Sequence, residues 1–111
     1  MQRRTMVRLV MTSLVVRAGT AATPARAAEL AVMIDNFTFG PAELSVSVGD
    51  KVTWTNRDDI PHSVTHAATP RTFKSSVLDT GDTFSFVFTA PGTYHYFCSL
   101  HPHMQATVVV K

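Results

Sequence analysis

Leu44-Ser45-Val46-Ser47-Val48-Gly49-Asp50-Lys51-Val52-Thr53-Trp54-Thr55-Asn56 alternates apolar and polar residues on both sides of a Gly-Asp pair. Side chains along a strand point to opposite faces in turn, so this period of two marks two half-buried strands. Gly49-Asp50 is a two-residue turn signal of the Gly-first kind and predicts a hairpin between them. The same grammar runs outward in both directions. Leu30 to Ile34 reads as a first strand, followed by a turn region from Asp35-Asn36 through Phe37 and Phe39 to Gly40-Pro41. His62 to His66 reads as a strand after the Arg57-Asp58-Asp59 turn, and residues 67–78, with Pro70, read as a loop. Thr80-Gly81-Asp82 leads into Phe84, Phe86 and Phe88, and Ala90-Pro91-Gly92 leads into Thr93 to Cys98. Thr107 to Val110 closes the chain and is apolar on both faces, as a central strand would be.

Seven or eight short strands with Gly- and Pro-marked turns, and no helical period beyond the N-terminal stretch, predict an all-β antiparallel sandwich. Trp54, the Phe84, Phe86, Phe88 row and Met33 are its expected core.

The chain has 111 residues, room for one domain, and its 45% hydrophobic and 16% charged content is that of a globular protein. Its first 28 residues hold Arg3, Arg4, Arg8, Arg17 and Arg26 but no acid, an apolar run from Leu9 to Val16, and a small-residue end at Ala25 to Ala28. That order predicts an export signal over 1–28, with the domain over 29–111. The apolar run is too short to span a bilayer, which takes about 20 residues. Residues 29–111 carry five basic side chains against eight acids, a net charge of −3 with histidine neutral. The basic balance of the whole chain therefore belongs to the leader, and a nucleic-acid partner loses its support.

A single cysteine excludes an internal disulfide and directs attention to Cys98-Ser99-Leu100-His101-Pro102-His103-Met104. In a continuing strand Cys98 and His101 would face opposite ways, so the chain must curl here, with Pro102 ending strand pairing. Thiolate and thioether are soft ligands and imidazole is borderline. Two His and one Cys with a weak axial Met suit a copper electron-transfer centre. His62, after Pro61, is the best further ligand, giving the set His62, Cys98, His101 and Met104. Structural zinc would ask for more Cys or His, and no Cys-x-x-Cys-His is present for covalent haem. His66, His95 and His103 are expected to be ordinary strand or surface residues, and Asp58-Asp59 a solvated turn.

Phe37-Thr38-Phe39, Thr53-Trp54-Thr55-Asn56, Ile60-Pro61-His62-Ser63-Val64, Pro91-Gly92-Thr93-Tyr94 and Tyr96-Phe97-Cys98 together resemble the cupredoxins, the small blue copper proteins, and among them the plastocyanin and amicyanin group. The two-residue intervals from Cys98 to His101 and from His101 to Met104 are similar to the amicyanin loop. The resemblance implies a Greek-key sandwich, one type 1 copper held by His62, Cys98, His101 and Met104, and single-electron shuttling between redox proteins such as a dehydrogenase or a c-type cytochrome. It implies an exported or periplasmic monomer and no enzyme activity. Ser63 stands where many relatives have Asn beside the first ligand, which leaves Asn56 as another tether between the ligand loops. The edge of His101, ringed by Ile60, Pro61, Leu100, Pro102 and His103, is the expected electron port. The rival reading is a copper carrier or storage protein. It would favour methionine clusters, but only Met33 and Met104 lie beyond the leader.

Overall fold

A computed structural model describes residues 27–111; the expected leader, up to residue 26, lies outside the described residues. The described residues form eight strands: β1 Glu29–Asp35, β2 Thr38–Gly40, β3 Glu43–Val46, β4 Lys51–Asn56, β5 Thr65–His66, β6 Thr83–Val87, β7 Gly92–Cys98 and β8 His101–Val110. They make two four-stranded sheets, ordered β2-β1-β4-β6 and β3-β8-β7-β5. The expected all-β Greek-key sandwich is the fold, and within it two neighbours are parallel, β1 with β4 and β3 with β8.

The alternation read from the sequence is the alternation of burial. Val32 and Ile34 of β1, Val52 and Trp54 of β4, Tyr96 and Cys98 of β7 and Val108 and Val110 of β8 all point inward. Trp54 spans the interior, edge-on to Tyr96 of the opposite sheet with ring centroids 5.5 Å apart. Apolar area removed from water between the sheets stabilises them at roughly 25 cal/mol per Å². The apolar run at 107–110 lies in β8, a central strand between β3 and β7, with Val108 and Val110 buried and Val109 half-buried.

Four expectations need correction. Gly49-Asp50 does not close a hairpin, because β3 and β4 belong to different sheets. Asp50 N–H donates to Ser47 O at 3.0 Å, and Gly49 has φ of +95°. A turn with its positive φ at the third position splays the flanking strands instead of matching their twist. The chain thus steps from one sheet to the other, and the Asp50 carboxylate fixes the step by accepting from Ala28 N–H and Ser47 N–H. Those two bonds hold its pKa below the usual carboxylate value.

Second, only Thr65–His66 of the expected strand from His62 is a strand; His62 pairs instead with Leu78 in an isolated bridge. Third, Met33 is 39% exposed, since it alternates with the inward Val32 and Ile34. Fourth, Pro102 lies inside β8 and does not end the pairing. Residues 67–78 are irregular, as expected, but they carry a core residue. Phe73 enters the sandwich and packs on Trp54, Phe86 and Phe88 at centroid distances of 5.9, 5.3 and 5.5 Å.

Candidate metal centre

The chain turns at Ser99-Leu100, so Cys98 and His101 become cross-strand partners at the mouth of the β7–β8 hairpin. Partners across an antiparallel pair share a face, which is how two residues three apart come to point the same way. The next pair is Phe97 with Gln105, so Pro102, His103 and Met104 bulge out of the ladder. Pro102 is tolerated there because a bulged residue has no ladder bond to donate. The bulge turns Met104 inward, where it is buried.

His62 comes from the other side. Its backbone is held to Leu78 by a reciprocal pair, His62 N–H to Leu78 O at 3.1 Å and Leu78 N–H to His62 O at 2.7 Å. Its side chain is fully buried. Nδ1 of His62 lies 3.7 Å from Cys98 Sγ, and Nδ1 of His101 lies 3.6 Å from the same sulfur. One donor atom from each of the three residues lies within 4.8 Å of the other two, an arrangement able to hold a metal ion. Cys98 and His62 are buried and His101 is half-buried.

The donor set fits copper: a soft sulfur, two imidazole nitrogens and a buried thioether in the adjoining bulge. The sulfur is also prepared for negative charge, since Ser63 N–H points at it from 3.4 Å. Two serines tie the ligand-bearing segments together. Ser99 N–H donates to Ser63 Oγ at 2.8 Å, and the two hydroxyl oxygens are 2.7 Å apart. Serine at position 63 therefore preserves a bridge between the segments. Asn56 is a tether of a different kind: its amide donates to Ile60 O and Leu78 O, bracing the His62 segment alone.

Two residues of the site were not legible in the sequence. Asp58 is no merely solvated turn residue, for its Oδ2 lies 2.8 Å from His62 Nε2 and accepts Phe37 N–H at 2.9 Å. The bond from Phe37 N–H and then that from His62 hold its carboxyl below the usual range. Phe37 packs edge-on against His62 and His101, with ring centroids 5.4 and 5.1 Å away. Both residues of its turn, Asn36 and Phe37, have positive φ, 52° and 56°. For a residue other than glycine this costs about 1–2 kcal/mol. The other histidines behave as expected of strand and surface residues: His66 lies in β5, His95 is exposed in β7, and His103 is exposed in the bulge.

Comparison with known proteins places these features in context. A family model described as copper binding proteins, plastocyanin/azurin family, matches residues 26–111. Amicyanin-alpha of Methylorubrum extorquens is 37% identical over 83 residues, covering 72% of this chain and 70% of its own. Amicyanin of Paracoccus denitrificans is 37% identical over 92 residues, covering 78% and 70%. Among solved structures, a purple cupredoxin from Nitrosopumilus maritimus superposes with a TM-score of 0.69 at 34% identity, covering 73% of this chain and 98% of that one. An oxidised variant of amicyanin superposes with a TM-score of 0.70 at 36% identity, covering 74% and 81%.

Proposed function

Because the chain belongs to the plastocyanin/azurin family of copper-binding proteins, we propose that it is a type 1 copper protein shuttling single electrons between redox partners. The observation that carries this reading is the convergence of His62 Nδ1, Cys98 Sγ and His101 Nδ1 from two distant segments. In this assignment His62, Cys98, His101 and Met104 would hold the copper. Bound copper supplies a one-electron couple.

What the chain contributes is constraint. Cys98 would hold the metal through a thiolate, and Ser63 N–H is placed to donate to that sulfur. The β7–β8 hairpin and the Ser63–Ser99 bridge tie the donor-bearing segments together, a constraint that would keep reorganisation small. No bond of a substrate is made or broken. Storage is disfavoured by the placement of the methionines, with Met104 buried in the bulge and Met33 outward on β1.

The electron port of this reading is the edge of His101. Ile60, Pro61, Leu100, Pro102 and His103, the residues expected to ring it, are exposed, and Phe37, 41% exposed, packs against the His101 ring. An apolar rim suits brief contacts with a dehydrogenase or c-type cytochrome, since redox encounters bury little surface. A monomer in the periplasm, exported by a leader over 1–28, completes the proposal; the arginine-rich, acid-free start supports it. No helix among the described residues is long and apolar enough to cross a membrane. Voltammetry of the copper-loaded protein tests the function: a reversible one-electron wave is expected, and loading without any reversible wave would favour the carrier or storage reading.

A further inference from the structure

We propose that residues 67–73 are an acid-released latch: the neutral imidazole of His66 holds them shut, and its protonation lets Phe73 leave the interior while both sheets stay folded. The latch lies beyond the copper reading and does not depend on it. Three bonds of this segment converge on one residue. His66 N–H donates to Phe73 O at 3.0 Å, its Nδ1 accepts Thr72 N–H at 3.0 Å, and its carbonyl accepts the Arg71 guanidinium Nη1 at 2.7 Å. The buried His66 ring stacks on Phe73, with centroids 5.0 Å apart and planes 16° apart, and lies 5.4 Å from the Tyr94 ring. Phe73 in turn plugs the space between the sheets, against Trp54 on one side and Tyr96 on the other.

A neutral ring accepts at Nδ1, whereas a protonated one donates from both nitrogens and would set a donor against Thr72 N–H. Its charge would also find no counter-ion. The titratable groups on the elements packed against His66 are Arg71 and Lys74 of the segment and Tyr94, His95, Tyr96 and Cys98 of β7, with no carboxylate among them. Burial, then the positive charges of Arg71 and His95, hold the His66 pKa below the usual histidine value. Release can stop at residue 73, because the chain beyond is tied separately: Lys74 bridges to Thr65, and Ser75 N–H donates to Val64 O at 2.8 Å. Once unlatched, the imidazole returns to a pKa of about 6.5, so the open form binds more protons between that pH and the lower folded value. Opening becomes easier as pH falls through this window.

Amide hydrogen exchange read by NMR from about pH 8 to about pH 5, corrected for the intrinsic pH dependence of exchange, tests the latch. The Thr72 and His66 amides are expected to be less protected than those of β4 and to open with little dependence on added denaturant, as a local release exposes little surface. Their protection should fall about tenfold per pH unit below about 6.5. His66→Gln, uncharged at every pH and with a side-chain oxygen able to accept Thr72 N–H, should hold the Thr72 amide at constant protection throughout. If His66→Gln does not fold, titration of the wild-type imidazole decides, since coupling requires His66 to titrate below about 6.5. Four results would each overturn the proposal: constant protection at Thr72 in the wild type, exchange at Thr72 with the full denaturant dependence of β4, an undiminished fall in His66→Gln, or a His66 titration at or above about 6.5.

Discussion

His62 and His101 face the same sulfur at nearly equal distance, 3.7 and 3.6 Å, yet are held in different ways. His62 is fully buried, its backbone bonded to Leu78 and its far nitrogen to Asp58. His101 is half-buried just after a two-residue turn, paired across the hairpin with Cys98 and packed against Phe37 and His62. The His62 wall further rests on the irregular segment 67–78, through Ser75 N–H to Val64 O and His66 N–H to Phe73 O. The Cys98 and His101 wall rests on the bulged end of the β7–β8 hairpin. A redox site that must stay rigid and also meet partners can place its rigidity in one wall and its access in the other.

The largest effect that would test this division is at Phe73, which bolts the irregular segment into the core. Phe73→Ala is expected to cost about 3–5 kcal/mol in denaturant unfolding of the copper-free protein, although its residue lies in no strand. Next comes the pair of ligand truncations. His62→Ala should cost about 2–4 kcal/mol, leaving a cavity and stripping Asp58 of a partner. His101→Ala should cost under about 1 kcal/mol. Equal losses at the two positions would break the comparison.

Changing pH should load the two walls from opposite sides. Burial pushes the Tyr96 phenol, on the strand leading to Cys98, up to about 12. The unfolded chain loses that proton near pH 10, so the stability gained from keeping the phenol neutral is complete below about 10 and is lost as pH rises through about 12, roughly 2–3 kcal/mol in all. His66 titrates in the other direction. Burial, then the charges of Arg71 and His95, hold its pKa below the usual histidine value. Its Nδ1 accepts Thr72 N–H and so needs the neutral ring. The stability it contributes is present above about pH 6.5 and is lost as pH falls through the lower folded value. Thermal melts across pH, with His66→Gln as reference, check the acid limb; an unchanged limb in that variant would remove His66 as its cause.

The smallest effect concerns access. Ile60→Glu or Pro102→Glu should leave the visible spectrum unchanged and stability within about 0.5 kcal/mol, while slowing electron exchange with a partner protein. Exchange as fast as wild type would place the port elsewhere.

Much of this architecture was legible because the alternation at 44–56 and 93–98 is a local code for burial. The cluster of His62, Cys98 and His101 was legible because Cys98 and His101 stand three residues apart and His62 follows a proline after a polar turn. The sheet change at Gly49-Asp50 was not, since a glycine-containing turn signals a reversal without naming the sheet that receives the next strand. Met33 was misplaced even though the period of two, applied strictly to β1, sets it opposite Val32 and Ile34. Asp58, Phe37 and Phe73 act through partners that only the fold supplies: the bond from Phe37 N–H to Asp58 joins residues 21 apart. Nothing in their immediate neighbours distinguishes them from ordinary turn and loop residues.

The central claim is that one sulfur and two imidazoles from separate segments grip a single copper ion, and copper(II) titration of wild type beside Cys98→Ser tests it most directly. The wild type should develop an intense visible thiolate-to-copper absorption that saturates at one ion per chain, and Cys98→Ser should develop none. A Cys98→Ser protein with the same absorption would contradict the account.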